Sequence, residues 1–414
     1  MAALYEKDWK YSWARVWCDS ATRSLFSAIH SEGKENVPRD GSVLLAPNHC
    51  NTLMDALVIL QDWKEATLFG ARADIFRKPA VRKILRFLRI LPIPRARDGA
   101  REVTRNRATM EEVAECLEHG MRFCMFCEGT HRPKHTLLPL KKGIARTALV
   151  ANARPDGRKP VYIVPVGLEY QDYYRLRTPV AIRYGEPINV TQFVQEHPGL
   201  GEGKVYRTLL SLLRERIAAL ITCLPDDGTY EARWALTRIA GPEAALTADG
   251  DLLHEAEAFD RRRKAAGLSS WSFLKDLPKA RVLARASAGI LLLPLLLAAA
   301  VLSAPLWIPS AFLVRRLKDK AFSRTVHFGV RFALTPLVLL GWGLVFFLCL
   351  PAGAAAAAFL LAAASHTLLY EGLERGRILL SDIRLAFGHA DLRETFSRIR
   401  TNALKTTSKE TIIT

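Results

Sequence analysis

Residues 46–56 read APNHCNTLMDA. They follow a short apolar run, SVLLAP at 42–47, and lead into an apolar segment with helical spacing, so His49 falls just after a strand and Asp55 in the first part of a helix. A histidine held by a carboxylate is a general base. The carboxylate fixes the tautomer and stabilises the imidazolium formed when a proton is taken, and activation of a hydroxyl is its natural use. Taken alone, the segment reads more readily as a surface histidine near a helix cap.

Outward from this junction, short apolar runs alternate with longer helical ones from Ser42 to about Ile221. The expected strands are 42–47, 66–71, 90–94, 121–126, 161–170 and 181–185, with helices at 52–63, 79–89, 101–119, 142–152 and 203–221. Such βα alternation predicts an α/β domain with a largely buried sheet.

Half of the 414 residues are apolar, yet 59 Lys+Arg against 41 Asp+Glu leave a formal charge of +18. That pairing excludes a disordered tail and predicts an anionic partner: nucleic acid, a lipid surface or a phosphorylated substrate. Seven scattered cysteines, an odd number without repeated spacing, argue against a secreted disulfide framework and for a reducing compartment. The N-terminal MAALYEKDWKYSWARVW lacks the unbroken apolar core of a signal peptide, so the catalytic part is expected in the cytosol.

Three further blocks bear on chemistry. In FCEGTHRPKHTLLPLKKG, the strand 121–126 runs into Glu128, Gly129 and Thr130. Gly129 permits close backbone approach, and amides at such a junction receive an anion or oxyanion. Lys141 and Lys142 precede a helix, a good place to meet phosphate, although solvated lysines at a helix start read the same way. Residues 70–107 hold twelve Lys/Arg and three Asp/Glu, half of the net charge, interleaved with apolar residues in the manner of a membrane-surface helix. There Arg95 and Arg97 follow a strand end and would hold a phosphate bidentately. Finally, VYIVPVGLEY places Pro165 inside a strand, which implies an edge, a bulge or a kink. Cys124 and Cys127 form a CxxC but read as two strand cysteines, and Pro133 between His131 and His135 spoils helical ligand geometry, so no metal site is expected.

The ends of the chain differ in kind. Residues 7–30 set three tryptophans among basic residues, as in a helix lying at a membrane interface, so 1–39 is expected to be an amphipathic interfacial segment. The α/β domain would then occupy 40–224, and the charged, helix-prone 225–280 would be a connector. Residues 286–314 and 332–370 contain no charged side chain, and about 20 apolar residues suffice to cross a bilayer as a helix. The second stretch would turn at LPAGA (350–354); the first, with Pro294, Pro305 and Pro309, is one span or a re-entrant hairpin. Both outer flanks and the segment 315–331 are basic, which favours two membrane-embedded hairpins in 281–371, entered and left on the cytoplasmic side, with 372–414 a cytoplasmic helix and tail.

In this order the four blocks, His-to-Asp, arginine block, Glu-Gly-Thr and proline strand, resemble the glycerolipid acyltransferase (PlsC-like) superfamily over roughly residues 40–220. The variants PIPRARDG, EGTHRPKHTLLPLKKG and LKDKAFSRTVHFGVRF look most like its fungal-type and related bacterial glycerol-3-phosphate acyltransferases. The resemblance implies an α/β fold with a mixed sheet flanked by helices, here followed by a C-terminal helical membrane region. It implies that His49 deprotonates the acceptor hydroxyl, which attacks the thioester of acyl-CoA or acyl-carrier protein, while Asp55 orients the imidazole. It further implies that Arg95 binds the acceptor phosphate, that Glu128, Gly129 and Thr130 shape the acceptor and thioester site, and that Pro165 lines the acyl or donor side. Two departures stand out: five residues rather than the commoner four separate His49 from Asp55, and Cys127 stands where a proline usually precedes Glu-Gly-Thr.

The expected protein is therefore a membrane-bound O-acyltransferase of phospholipid biosynthesis without a resident cofactor, using acyl-CoA or acyl-carrier protein as co-substrate and glycerol-3-phosphate as acceptor. Lysophosphatidate or another lysophospholipid is the alternative acceptor. A hydrolase is disfavoured by the lack of any Gly-x-Ser-x-Gly elbow. The non-enzymatic alternative is a basic membrane-surface or nucleic-acid-binding protein. Of these the membrane is preferred and nucleic acid is not expected as a partner; the sequence leaves the oligomeric state open.

Overall fold

The computed structural model describes residues 3–93, 100–154 and 159–410, with backbone alone for 100–106 and 407–410. The chain divides into two compact units, residues 1–221 with 312–332, and residues 222–311 with 333–414.

In the first unit, α1 (Trp9–Arg23), β1 (Phe26–Glu32), β2 (Ser42–Pro47), α2 (Leu53–Asp62), β3 (Thr67–Arg72), α3 (Pro79–Phe87), β4 (Ile90–Ile93), α4 (Ala100–Glu118) and β5 (Arg122–Cys124) are followed by α5 (Gly143–Asn152), β6 (Val161–Tyr170), β7 (Thr178–Tyr184), β8 (Ile188–Asn189), α6 (Val190–Glu196) and α7 (Glu202–Leu220). The strands form one mixed sheet in the order β1-β7-β6-β2-β5-β3-β4, with β8 beside β6. β6, β2, β5, β3 and β4 run parallel, β7 and β8 are antiparallel to β6, and β1 is parallel to β7. The patterning follows from this order. β2 has parallel neighbours on both sides and is buried at every residue, whereas β7 alternates buried and half-buried positions.

The expected α/β mixed sheet is thus present, with two corrections. The segment 7–30 is not one helix: it is helical only to Arg23, and Phe26, buried beside Tyr170, begins a strand paired with Thr178. The sheet therefore starts inside the segment expected to be purely interfacial. Pro165 lies in a central strand, not an edge. β8 pairs with Tyr162 and Ile163 and β7 with Val166 onward, so the residue without an N–H falls where one antiparallel partner gives way to the other. Its carbonyl still accepts the amide of Gly185 at 2.9 Å.

The second unit contains α8 (Tyr230–Ala240), α9 (Pro242–Thr247), α10 (Gly250–Ala265), α11 (Ser270–Phe273), α12 (Lys279–Leu291), α13 (Leu293–Leu302) and most of α14 (Ala304–Arg316). It also takes the C-terminal part of α15 (Ser323–Cys349), α16 (Ala352–Phe387) and α17 (Ala390–Glu410). The stretch expected to be a connector, 225–280, has a core of its own. Leu236, Ala256, Phe259 and Phe273 pack with Leu385, Phe396 and Ile399, and the rings of Phe259, Phe273 and Phe396 lie 5.2–5.8 Å apart. Residues 225–280 and the helical residues from 372 to 410 therefore form one helical body, and the boundary expected at 371 falls inside α16.

α15 and α16 are long and apolar enough to cross a membrane, and α12 with α13 qualifies as a third span if the pair, bent by 46°, is taken as one. The bend falls just before Pro294, whose ring and missing N–H interrupt the ladder. α15 and α16 meet at Leu350–Pro351, within the expected turn, and Phe347 folds onto Phe359 at 6.5 Å. Leu291 is 81% exposed and Leu348 76%, a surface suited to lipid and not to water.

Candidate active site

Two neighbouring parallel strands, β2 and β5, end on the same edge of the sheet and deliver two loops to one place. From β2 comes Asn48-His49-Cys50-Asn51. Asn48 is buried and spends its side chain on β6, accepting the Leu168 amide at 2.7 Å and donating to the Leu168 carbonyl at 3.0 Å, which fixes where the strand stops. From β5 comes Phe126 to Thr130.

His49 Nδ1 meets Asp55 Oδ2 at 2.8 Å. Asp55, fully buried in the first turn of α2, accepts the amides of Cys50 at 2.8 Å and Asn51 at 2.7 Å on the same oxygen. With two backbone amides and the imidazole on one oxygen, this buried carboxylate is fixed in place against His49. The five residues between the pair are absorbed at Thr52, whose φ of +50° and ψ of −127° turn the chain into α2. A β-branched residue there is an outlier. With Nδ1 engaged, Nε2 is the ring nitrogen left to exchange a proton with a substrate.

The second loop clamps the histidine. Glu128 accepts the His49 amide at 2.7 Å on one oxygen and the Leu138 amide at 2.8 Å on the other, while Arg132 donates its amide to the His49 carbonyl at 3.0 Å. Phe126 stacks on the imidazole at 4.3 Å and 24°. Burial pushes the Glu128 carboxyl above its usual range, and the two amide bonds oppose that rise. Glu128 is thus a buried strut beneath His49. Cys50 places a thiol beside the pair; burial, and then the Asp55 charge, push it well above its ordinary value, so it stays a thiol and not a nucleophile. Cys124 and Cys127 are likewise buried free thiols, raised by desolvation.

The other expected residues divide. Gly129, at φ +71°, and Thr130 are exposed at the loop tip. Lys141 is exposed, donates its amide to the Cys127 carbonyl at 2.7 Å and runs its side chain past Gly129, which brings it to the same loop. Lys142 instead lies 5.8 Å over the Tyr206 ring of α7. Pro165 is a buried strand residue with Ala46 of β2 as its neighbour. Arg95 and Arg97 lie outside the described residues.

Three participants were not anticipated. Phe126 is the last residue of the expected strand, and its place just before the Glu128-Gly129-Thr130 block was the available signal. His131 stands edge-on to His49 with ring centres 5.8 Å apart, its Nε2 3.3 Å from Asp319 Oδ2 and its ring against Phe322 at 5.2 Å. Thr325 Oγ1 lies 2.8 Å from Thr52 Oγ1. Asp319, Phe322 and Thr325 belong to the LKDKAFSRTVHFGVRF segment, which the sequence marked without assigning it a role.

Residues 28–169 match a family model described as Acyltransferase. Among curated proteins, the chain is similar to an uncharacterized acyltransferase of Schizosaccharomyces pombe, 25% identical over 133 residues, 32% of this chain and 19% of that protein. Glycerol-3-phosphate O-acyltransferase 2 of Saccharomyces cerevisiae is 29% identical over 137 residues, 33% of this chain and 18% of that protein. Glycerol-3-phosphate O-acyltransferase 1 of the same yeast is 35% identical over 79 residues, 19% of this chain and 10% of that protein. The matches thus span less than a fifth of each relative. Among solved structures, the crystal structure of the 1-acyl-sn-glycerophosphate acyltransferase PlsC from Thermotoga maritima aligns with a TM-score of 0.37 and 22% identity, covering 51% of this chain and 79% of that one.

Proposed function

We propose that the chain, whose residues 28–169 place it with the glycerolipid acyltransferase superfamily, transfers a fatty acyl group from acyl-CoA or acyl-carrier protein to a hydroxyl of glycerol-3-phosphate. The observation that carries the reading is the His49–Asp55 pair, with Nδ1 bound to a buried carboxylate and Nε2 left for the substrate. His49 Nε2 takes the proton of the acceptor hydroxyl as its oxygen attacks the thioester carbonyl. The oxyanion intermediate then collapses, the carbon–sulfur bond breaks, and the imidazolium returns the proton to the departing thiolate. The buried, protonated Cys50 supports direct transfer without an acyl-enzyme. Glycerol-3-phosphate is favoured as acceptor by the names of the two yeast relatives.

In this reading Gly129, Thr130 and Lys141 frame the acceptor and thioester side of His49, Arg95 supplies charge for phosphate, and Pro165 lines the acyl or donor side, while Lys142, drawn over the Tyr206 ring, takes no part. The two apolar helices associate the protein with a membrane, and the basic flanks favour a cytoplasmic catalytic face. Trp9 and Trp13 on α1, exposed at 75% and 69%, together with Ile84 and Phe87 of α3 and the following Leu88 among Lys78, Arg82 and Lys83, suit contact with an anionic lipid surface. The test is acyl transfer by the detergent-purified chain from labelled acyl-CoA, with glycerol-3-phosphate and lysophosphatidate offered separately. Preference for glycerol-3-phosphate is expected. Preference for lysophosphatidate would keep the chemistry and move the acceptor, and inactivity with both, using either donor, would overturn the proposal.

A further inference from the structure

The first turn of α15 lies more than 270 residues after the His49 loop, yet it grips the surroundings of that loop from two sides. On one side is the hydroxyl pair Thr325–Thr52. Thr52 is the residue that turns the chain into α2 and so decides where Asp55 points, and its backbone geometry is one that glycine adopts freely and threonine resists. It is the N-cap residue of α2, a position where a threonine hydroxyl ordinarily bonds to the helix's own amides; here it makes no such bond and faces Thr325. On the other side is Arg324, wholly buried, which donates to the Asp172 carbonyl at 2.6 Å, to the Arg175 carbonyl and to Thr178 Oγ1 at 2.5 Å. Its guanidinium carbon lies 4.8 Å from the ring centre of Phe26 and 5.7 Å from that of Tyr170. The turn it fastens, between β6 and β7, in turn holds Asn51: the Tyr173 carbonyl accepts from Asn51 Nδ2 at 3.4 Å.

We propose that Arg324 and Thr325 are positioning residues of the His49–Asp55 site, and that Thr325 in particular holds Thr52 in the strained conformation that aims Asp55 at His49. Neither residue touches the reacting atoms. Thr325 acts on the angle at which α2 starts, and Arg324 on the loop that braces Asn51. Activity as a readout rests on the acyltransferase reading; the backbone readout below does not.

The experiment uses the full chain in detergent with Thr325→Val, Thr325→Ser, Thr52→Gly and the double variant Thr52→Gly/Thr325→Val. Removing the hydroxyl while keeping the shape is expected to lower kcat by about 10- to 100-fold, the scale of a slightly misplaced catalytic group, with KM for donor and acceptor unchanged. Thr325→Ser should restore kcat to near the parent value. In the Thr52→Gly background, where the turn no longer needs to be held, Thr325→Val should have little further effect, a non-additivity that simple loss of stability would not produce. Independently of activity, peptides covering residues 48–56 should exchange the amide hydrogens of Cys50 and Asn51 faster in Thr325→Val than in the parent, because those amides bond to Asp55. An unchanged kcat together with unchanged exchange would overturn the proposal, as would an equal loss of kcat when Thr325→Val is added to Thr52→Gly. If the parent chain transfers no acyl group to any acceptor, the functional reading fails and the exchange measurement alone decides this one.

Discussion

The mixed sheet and the apolar helices are built inside out with respect to one another. In the sheet, β2 buries every residue and polar groups collect at one end, where Glu128 and Asp55 are tied to backbone amides. In the apolar helices many leucines face outward, with Leu340 73% exposed, while Ser303, Ser310 and Ser365 are buried, as is Asp382 in the part of α16 that belongs with 225–280. The serines answer to carbonyls one turn back in their own helices, and Asp382 to Ser272 at 2.6 Å and Arg285 at 2.6 Å. The same residue types change sides because the solvent changes. Water rewards burial of apolar surface, whereas hydrocarbon offers no such reward and penalises any polar group left without a partner.

That contrast can be tested by asking whether chemistry and attachment separate. His49→Ala should reduce acyl transfer by about 10²- to 10⁴-fold, the usual contribution of a general base, and leave detergent extraction unaltered. Retained turnover would remove the dyad from the mechanism. A smaller effect compares two exposed leucines. Leu340→Arg on α15 should cost about 3 kcal/mol of membrane integration, as for an arginine near the middle of a span, whereas Leu246→Arg on α9 should change stability by less than about 0.5 kcal/mol. Equal behaviour of the two in carbonate extraction and thermal unfolding would abolish the distinction between the surfaces.

The smallest effect is read in pH dependence. Burial raises the Glu128 carboxyl above its ordinary 4.5, so the folded state binds this proton more tightly than the unfolded one. Stability contributed by the group is therefore highest when it is protonated and declines as pH climbs from 4.5 through the raised value. Glu128→Gln should remove that slope, while costing about 1–3 kcal/mol because the amide side chain can accept only one of the two backbone N–H groups. A slope that survives the substitution would assign it to another group.

Much of the site was legible because it is local. His49 and Glu128 stand at strand ends whose apolar runs are unmistakable, Asp55 follows in the first turn of the next helix, and the ordered set of blocks put His49 and Asp55 together. What escaped was held by partners distant in the chain. β1, FSAIHSE, alternates poorly and is a strand because β7 pairs with it, about 150 residues later. The core of 225–280 is closed by α17, so no window within it could show a domain. Lys142 at a helix start reads as an anion site, but a neighbouring tyrosine on α7 gives its charge a different face to lie on. Thr325 escaped because a single hydroxyl pair 273 residues apart leaves no trace in periodicity.

The hydroxyl pair between Thr52 and Thr325 also sets an order of events during synthesis. Chains emerge from the ribosome N-terminus first, and domains fold as their parts appear. Strands β1 to β7 are complete once Tyr184 has been made, but the turn that fastens Thr52 is not, and the apolar stretch 286–314 is translated in between. On the proposal that Thr325 holds Thr52, Asp55 would be aimed only after translation has passed the first greasy segment, and the site would be completed at a time when that segment is already available to the bilayer.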